Sequence, residues 1–447
     1  MSDNQFNEEL DYNEEEENLV EEAGAAAAKG DFDQGRSAVG WSDMSLKDEI
    51  VKAIAEAGWE HPSEVQQQCI PRAINGVDVI CQAKAGRGKT GVFAISVLQQ
   101  LEVPEGDKND HVQCLVMCHV RELAVQILGE FDRLKKHLPR ITTKSFIGGQ
   151  TTEKQDREWI EKNGHPNIVV ATPGRLKALA SKKTLDLSKL QFFVLDECDK
   201  MLEKVDMRGD IQQIFKMTPP EKQVMMFTAT LPAEMRAICK RFMKSQEVLE
   251  VLVDDEHKLT LHGLVQHYVA LKEDEKNRKL FDLLDSLDFK QVVIFTKTPA
   301  RAKALTELLN EVNFPASCIT SSMKQEERLK NFKEFRENKA RILVATDLLG
   351  RGIDIVNMNV VINYDMPTDD EERHGKGDDT YLHRVGRAGR YGTKGLAITF
   401  VASEEDQRVL QKVQERFQVE IKPLPDAVDP SVYKHSDNFA DNVVERF

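Results

Sequence analysis

Gly86-Arg87-Gly88-Lys89-Thr90 sets a lysine and a hydroxyl directly after two glycines. At that spacing the glycines let backbone N–H groups turn toward an anion, and a helix starting there adds its positive end. Lys89 would reach the β- and γ-phosphates of a nucleotide, and the Thr90 hydroxyl would ligate Mg²⁺. The cradle reaches back through Ala83, Lys84 and Ala85, so a usual first glycine is replaced by Ala83. A second group, Asp196-Glu197-Cys198-Asp199, offers the complementary chemistry. Asp196 would hold Mg²⁺, directly or through water, and Glu197 would orient or deprotonate the attacking water. An Asp-Glu pair alone is more often a solvated turn. Beside a phosphate loop it becomes half of a nucleotide site.

Both groups need elements to aim them, and the flanking residues supply these. The run VDVICQA leads into the glycine loop and an apolar helical pattern follows; FFVLD leads into the acidic box. Short β-branched runs alternating with amphipathic stretches predict parallel sheets covered by helices on both faces. One series spans VDVICQA to VMMFTAT, and a second spans QHYVAL to GLAITFV. The fold class is therefore α/β, with two similar domains in tandem. The expected boundaries are an acidic, disordered tail over 1–37, a first domain over 38–250, a linker over 251–263, a second domain over 264–424 and a peripheral tail over 425–447.

Composition bounds the rest. The chain has 447 residues, 40% apolar and 30% charged, and a formal net charge of −14. Twelve acidic and two basic side chains fall in residues 1–36, which leaves a net of −4 for the body. Any nucleic-acid site must then be a local groove, because net charge gives it no support. No apolar run is long enough for a membrane span, and the acidic start is unlike a secretory signal. Seven scattered cysteines without a CxxC pair predict reduced, mostly buried thiols.

The Asp196–Asp199 box resembles that of the DECD branch of the DEAD-box RNA helicases, and further blocks follow in that family's order. Two RecA-like domains with ATP and RNA in the cleft between them are what the resemblance implies. Gly58–Gln66 is similar to the adenine-reading motif, with Gln66 on the base edge and Trp41 as the upstream aromatic. Arg121, Gly149, Thr172 and Arg175 in the first half, and Gln325, Arg328 and Thr346 in the second, stand where relatives face the RNA backbone. Asp354 would meet the ribose. Arg387 and Arg390 would act as arginine fingers on the γ-phosphate. Thr228, Thr230, Asp199 and His383 would couple ATP state to domain closure.

The resemblance implies an ATP-dependent RNA helicase, with ATP and Mg²⁺ as cofactors and sequence-independent RNA binding. It further implies a monomer in nuclear splicing and mRNA export, in contact with proteins of those steps, with the cytoplasm as a second compartment. An ATP-gated RNA clamp with little unwinding is the alternative, since the same motifs serve both. Four departures stand out: Ala85 for a hydroxyl residue, Gly91 in a helix's first turn, Thr320-Ser321-Ser322 for a basic segment, and a charged insertion between Pro367 and Tyr381. The insertion is expected to be solvent-exposed.

Overall fold

The computed structural model describes residues 40–83, 86–103, 111–243, 247–252, 264–347, 358–368, 377–388 and 394–434. The acidic tail over 1–37, residues 253–263 of the expected linker, Lys84, Ala85, Asp354 and Arg390 therefore lie outside the described residues, while Val251 and Leu252, expected in the linker, belong to the last strand of the first domain.

The first half runs α1 (Asp48–Glu56), α2 (Glu64–Ala73), β1 (Asp78–Gln82), α3 (Lys89–Gln100), β2 (Cys114–Cys118), α4 (Arg121–Leu134), β3 (Thr143–Phe146) and α5 (Glu153–Asn163). It continues with β4 (Ile168–Ala171), α6 (Pro173–Ser181), β5 (Phe192–Asp196), α7 (Cys198–Glu203), α8 (Val205–Lys216), β6 (Gln223–Thr228), α9 (Ala233–Arg241) and β7 (Val248–Leu252). The second half has β8 (Leu264–Ala270), α10 (Lys276–Ser286), β9 (Gln291–Phe295), α11 (Pro299–Glu311), β10 (Ala316–Ile319), α12 (Gln325–Arg336) and β11 (Ile342–Ala345). It closes with β12 (Met358–Asn363), α13 (Gly377–Val385), β13 (Gly395–Val401), α14 (Glu404–Phe417) and β14 (Lys422–Pro423).

Each half is one seven-stranded sheet, and every recorded pairing is parallel. The order is β3-β4-β2-β5-β6-β1-β7 in the first and β10-β11-β9-β12-β13-β8-β14 in the second. These are the same order repeated, strand for strand. Central strands β1, β2, β5, β6 and β9 are buried along their whole length, as their continuous apolar runs require when helices cover both faces. Helices on the two faces of the first sheet give two apolar clusters, one around Phe93 and Phe227 and one around Phe193 and Phe215. Six of the seven cysteines are buried, Cys318 is half-buried, and all are free thiols.

Two other expected boundaries move. The segment after Leu424 is not peripheral as far as Tyr433. That ring is 1% exposed in the second domain's core, and its hydroxyl accepts the Asp288 N–H at 3.0 Å. The charged insertion is also not wholly solvated: Gly377–Thr380 forms the first turn of α13 with Asp378 and Thr380 buried. Arg416 explains it, lying 2.6 Å from Asp378 and 3.0 Å from Asp379.

Candidate active site

Parallel strands deliver their C-terminal ends to one edge of a sheet, where α/β proteins bind ligands. Strands β5, β6 and β1 are neighbours. The acidic box, the Thr228-Ala229-Thr230 segment and the glycine loop therefore emerge side by side. Ala83 extends the ladder past β1, its N–H donating to the Thr228 carbonyl at 3.0 Å. Gly86 and Gly88 then take φ of 76° and 82°, a left-handed turn that favours glycine. α3 starts at Lys89, which is 7% exposed and donates its Nζ to the Ala83 carbonyl. Thr90 follows, half-buried. Apart from Lys84 and Ala85, the strand, glycine turn and helix follow one another as the sequence predicts; the structure adds that Lys89 is buried and folded back over the turn.

Opposite stand the carboxylates. Asp196, Glu197 and Asp199 are all at most 5% exposed. Glu197 has φ 58° and ψ 48°, a left-handed backbone on a non-glycine residue that costs on the order of 1–3 kcal/mol and concentrates at functional sites. Its N–H donates to Asp196 Oδ1 at 3.1 Å. Burial, then the neighbouring Glu197 carboxylate, pushes Asp196 up to about 7, against the opposing charge of Lys89. A buried acid raised in this way, with a second carboxylate beside it, fits a divalent cation, whose charge would relieve the crowding. Asp199 is used differently: it accepts the Thr228 hydroxyl at 2.8 Å and the Thr230 hydroxyl at 3.0 Å. The Thr228-Ala229-Thr230 segment is thereby fastened to the acidic box within one domain. Cys198 faces away from this chemistry, its Sγ 4.0 Å from Cys239 Sγ in the apolar cluster.

Gln66 is buried and doubly employed. Its Oε1 accepts the Ser63 N–H at 2.8 Å, a capping box at the start of α2, and its Nε2 donates to the Gly88 carbonyl at 3.3 Å. The segment expected to read the base is thus tied to the glycine loop. Trp41 is buried rather than open, stacked on Trp59 at 6.0 Å. Trp59 is a residue the sequence reading did not single out, though it lies inside the Gly58–Gln66 block. It is half-buried, with the Arg133 guanidinium 5.3 Å from its ring. A Cβ on Gly91 would come within 2.9 Å of Trp59 and 2.7 Å of Gln66 Nε2. Close packing therefore accounts for the glycine that looked out of place in a helix.

Three of the residues expected at RNA, Arg121, Gly149 and Gln325, meet across the two domains. Arg121 Nη1 donates to Gln325 Oε1 at 2.7 Å. Arg328 grips Glu122 through Nε at 2.5 Å and Nη2 at 3.3 Å, a fork across 206 positions of chain. Glu122 is fully buried and was not anticipated, because nothing local marks a pairing so distant in sequence. Gly149, at φ 86°, lies where a Cβ would be 2.7 Å from Gln325 Cβ, so a side chain there would collide with the second domain. Thr172 precedes α6, whose first residue is Pro173. Arg175 is ion-paired with Asp156 and donates to the Thr151 carbonyl at 2.9 Å. Thr346 follows the end of β11, buried at 7%.

In the second domain, Arg387 is 2% exposed and donates Nε to the His383 carbonyl at 2.9 Å; His383 is equally buried. Arg384 is the organiser that the sequence reading passed over. It pairs with Asp347 at 2.5 Å, donates to the Asp365 carbonyl at 2.8 Å and sits 5.2 Å from the Phe295 ring. It thereby joins the ends of β9, β11 and β12 to the helix that leads to Arg387.

A model of the DEAD/DEAH box helicase family matches residues 63–238, and one of the helicase conserved C-terminal domain matches residues 275–392. The chain is 57% identical over 431 residues to DEAD-box ATP-dependent RNA helicase 15 of Arabidopsis thaliana, which covers 96% of this chain and 97% of that protein. It is 53% identical over 441 residues to the ATP-dependent RNA helicase uap56 of Schizosaccharomyces pombe, covering 96% and 98%. Its fold is similar to that of S. cerevisiae Dbp5 bound to RNA and ADP BeF3, with a TM-score of 0.78 and 26% identity over 92% of this chain and 99% of that one.

Proposed function

Because the chain belongs to the DEAD-box family of ATP-dependent RNA helicases, we propose that it closes on RNA and ATP together, releases one strand of a short duplex, and reopens after hydrolysis. The observation that carries this is the glycine loop and acidic box at the same edge of one sheet, on strands β1 and β5 to either side of β6, together with the Glu122–Arg328 fork between domains. Lys89 and the amides at the start of α3 bind the phosphates. Thr90 and Asp196 are the residues that would hold Mg²⁺, which neutralises phosphate charge when bound. Glu197 takes a proton from the attacking water, and Arg387 and Arg390 steady the charge on the transferring group. Gln66 reads the base edge, with Trp59 and Trp41 beside it, and Asp354 meets the ribose. Arg121, Gly149, Thr172, Arg175 and Thr346 hold the RNA backbone, so binding is independent of sequence and weakens with salt. Gln325 and Arg328 add the grip between domains.

Nuclear splicing and mRNA export are the steps in which we place this activity, on the support of the DECD box and the runs VDDEHKLTLHGL and EKNRKLFDLLD. Retention of polyadenylated RNA in nuclei depleted of the protein is the expected result; normal export would exclude that placement. Strand release from a short RNA duplex, with and without ATP, tests the activity itself. Release that depends on ATP is expected. Hydrolysis that leaves the strands paired would mark an RNA clamp instead.

A further inference from the structure

Asp156 lies on α5, a helix of otherwise mostly charged and polar residues, yet it is 1% exposed. A carboxylate is costly to bury, and an apolar residue of similar size would serve packing as well or better. Its contacts suggest another use. Oδ1 accepts the Thr151 hydroxyl at 2.5 Å, and Oδ2 pairs with the Arg175 guanidinium. Arg175 also donates to the Thr151 carbonyl at 2.9 Å. One buried acid thus ties the turn that begins at Thr172 to the loop that begins at Gly148.

That loop has little freedom at its other end. Gly148 and Thr151 are bridged as in a strand pair, and a Cβ on Gly148 would lie 3.2 Å from Arg121 Nη2. Gly149 packs against both Arg121 and Gln325 of the second domain. A small shift at Thr151 therefore moves the Gly149 amide and the Arg175 guanidinium together. We propose that Asp156 is a positioning residue for RNA: its buried carboxylate sets the spacing of the Gly148–Thr151 loop and the Thr172–Arg175 turn, and so fixes the surface that grips the strand. This rests on the RNA-dependent reading given above. Asp156 itself touches no RNA; it acts through Arg175 and Thr151.

RNA-stimulated ATP hydrolysis by the full chain, titrated with single-stranded RNA, separates positioning from general damage. Asp156→Asn should raise the RNA concentration for half-maximal stimulation about tenfold, the scale of one charge-assisted hydrogen bond, with kcat at saturating RNA within about twofold of the parent. Thr151→Val removes only the hydroxyl and should raise half-saturation about threefold. Adding Asp156→Asn to Arg175→Gln should change little further, since the charge that Asn lacks is used by that arginine while its amide oxygen still accepts the Thr151 hydroxyl. Thermal melting reports whether Asp156→Asn folds, and Thr151→Val alone decides the matter if it does not. Unchanged half-saturation in the folded variants, a fall in kcat without a shift in half-saturation, or full additivity with Arg175→Gln would overturn the inference. A parent protein that RNA does not stimulate would overturn the RNA-dependent reading, and this inference with it.

Discussion

After β1 the chain turns through Gly86-Arg87-Gly88 and begins α3 at Lys89; after β8, which occupies the same place in the second sheet, it turns through Glu273-Asp274-Glu275 and begins α10 at Lys276. Both lysines are first residues of their helices and both are buried. Their surroundings differ. Lys89 leans on a backbone carbonyl, with Asp196 raised by burial across the site. Lys276 is neutralised by carboxylates: Asp365 lies 2.9 Å away, just past β12, the counterpart of β5, and Glu273 lies 2.9 Å away on the turn before the helix. Arg301 is 2.7 Å from the same Asp365. Shared topology provides the position in both domains. Glycine against acid in the turn, and the state of charge balance, decide which becomes a nucleotide site. In the first domain the buried lysine faces a carboxylate that burial has raised, and in the second it is in direct ion pairs.

The largest effect separating the two domains should come from Glu197→Gln. The change keeps shape and removes the proton acceptor, so RNA-stimulated turnover should fall by about 10²–10⁴-fold while ATP and RNA still bind. Single-turnover hydrolysis with nucleotide binding measured alongside checks it. Turnover within a few-fold of the parent would remove Glu197 from its role. Melting should hardly move, because a site poised for a ligand adds little to the unliganded fold.

The second domain should respond the other way. Asp365→Asn leaves Lys276 and Arg301 with only the more exposed Glu273 as a shared counter-ion, and breaking a buried pair costs up to about 3–5 kcal/mol. Urea unfolding should register that loss, and the pair Lys276→Met with Asp365→Leu should recover much of it, since apolar residues of similar volume replace buried ion pairs well. An Asp365→Asn protein as stable as the parent would mean that Lys276 is not neutralised in the way its contacts suggest.

These contrasts also mark what the sequence can disclose. The glycine loop and the acidic box were legible because each is a contiguous run at the end of a buried strand, where period and residue type agree. The repeated design was legible as two series of strands, although the identity of strand order was not. Glu122, Asp156 and Arg384 escaped because their significance is in partners elsewhere in the chain: Arg328, Arg175 with Thr151, and Asp347 with Asp365. Tyr433 escaped for a similar reason. Its surroundings are rich in Pro and Asp and read as a tail, and only the Asp288 amide and the core around it show a closing contact. Gly91 looked like a defect by helix propensity alone, until Trp59 and Gln66 were found against it.

The comparison of domains leaves the seam between them, and there a smaller effect should be readable. Gly149 is exposed on the first domain, at φ 86°, where an alanine costs about 1–2 kcal/mol of backbone strain. A Cβ would also stand 2.7 Å from Gln325 Cβ and 2.8 Å from Arg121 Nη1. The arginine can swing aside, but the Gln325 Cβ is fixed to the start of α12 and cannot. The second cost therefore falls only on the form in which the domains touch. Gly149→Ala should lower the stability of the first domain by about 1 kcal/mol and lower RNA-stimulated turnover several-fold more than that strain alone explains. ATP affinity without RNA should stay near the parent's, because the phosphate loop is on another strand. Paired titrations of ATP and RNA, with urea unfolding beside them, distinguish the two costs. A loss of stability with RNA-stimulated turnover intact would show that the domains work without the approach at Gly149.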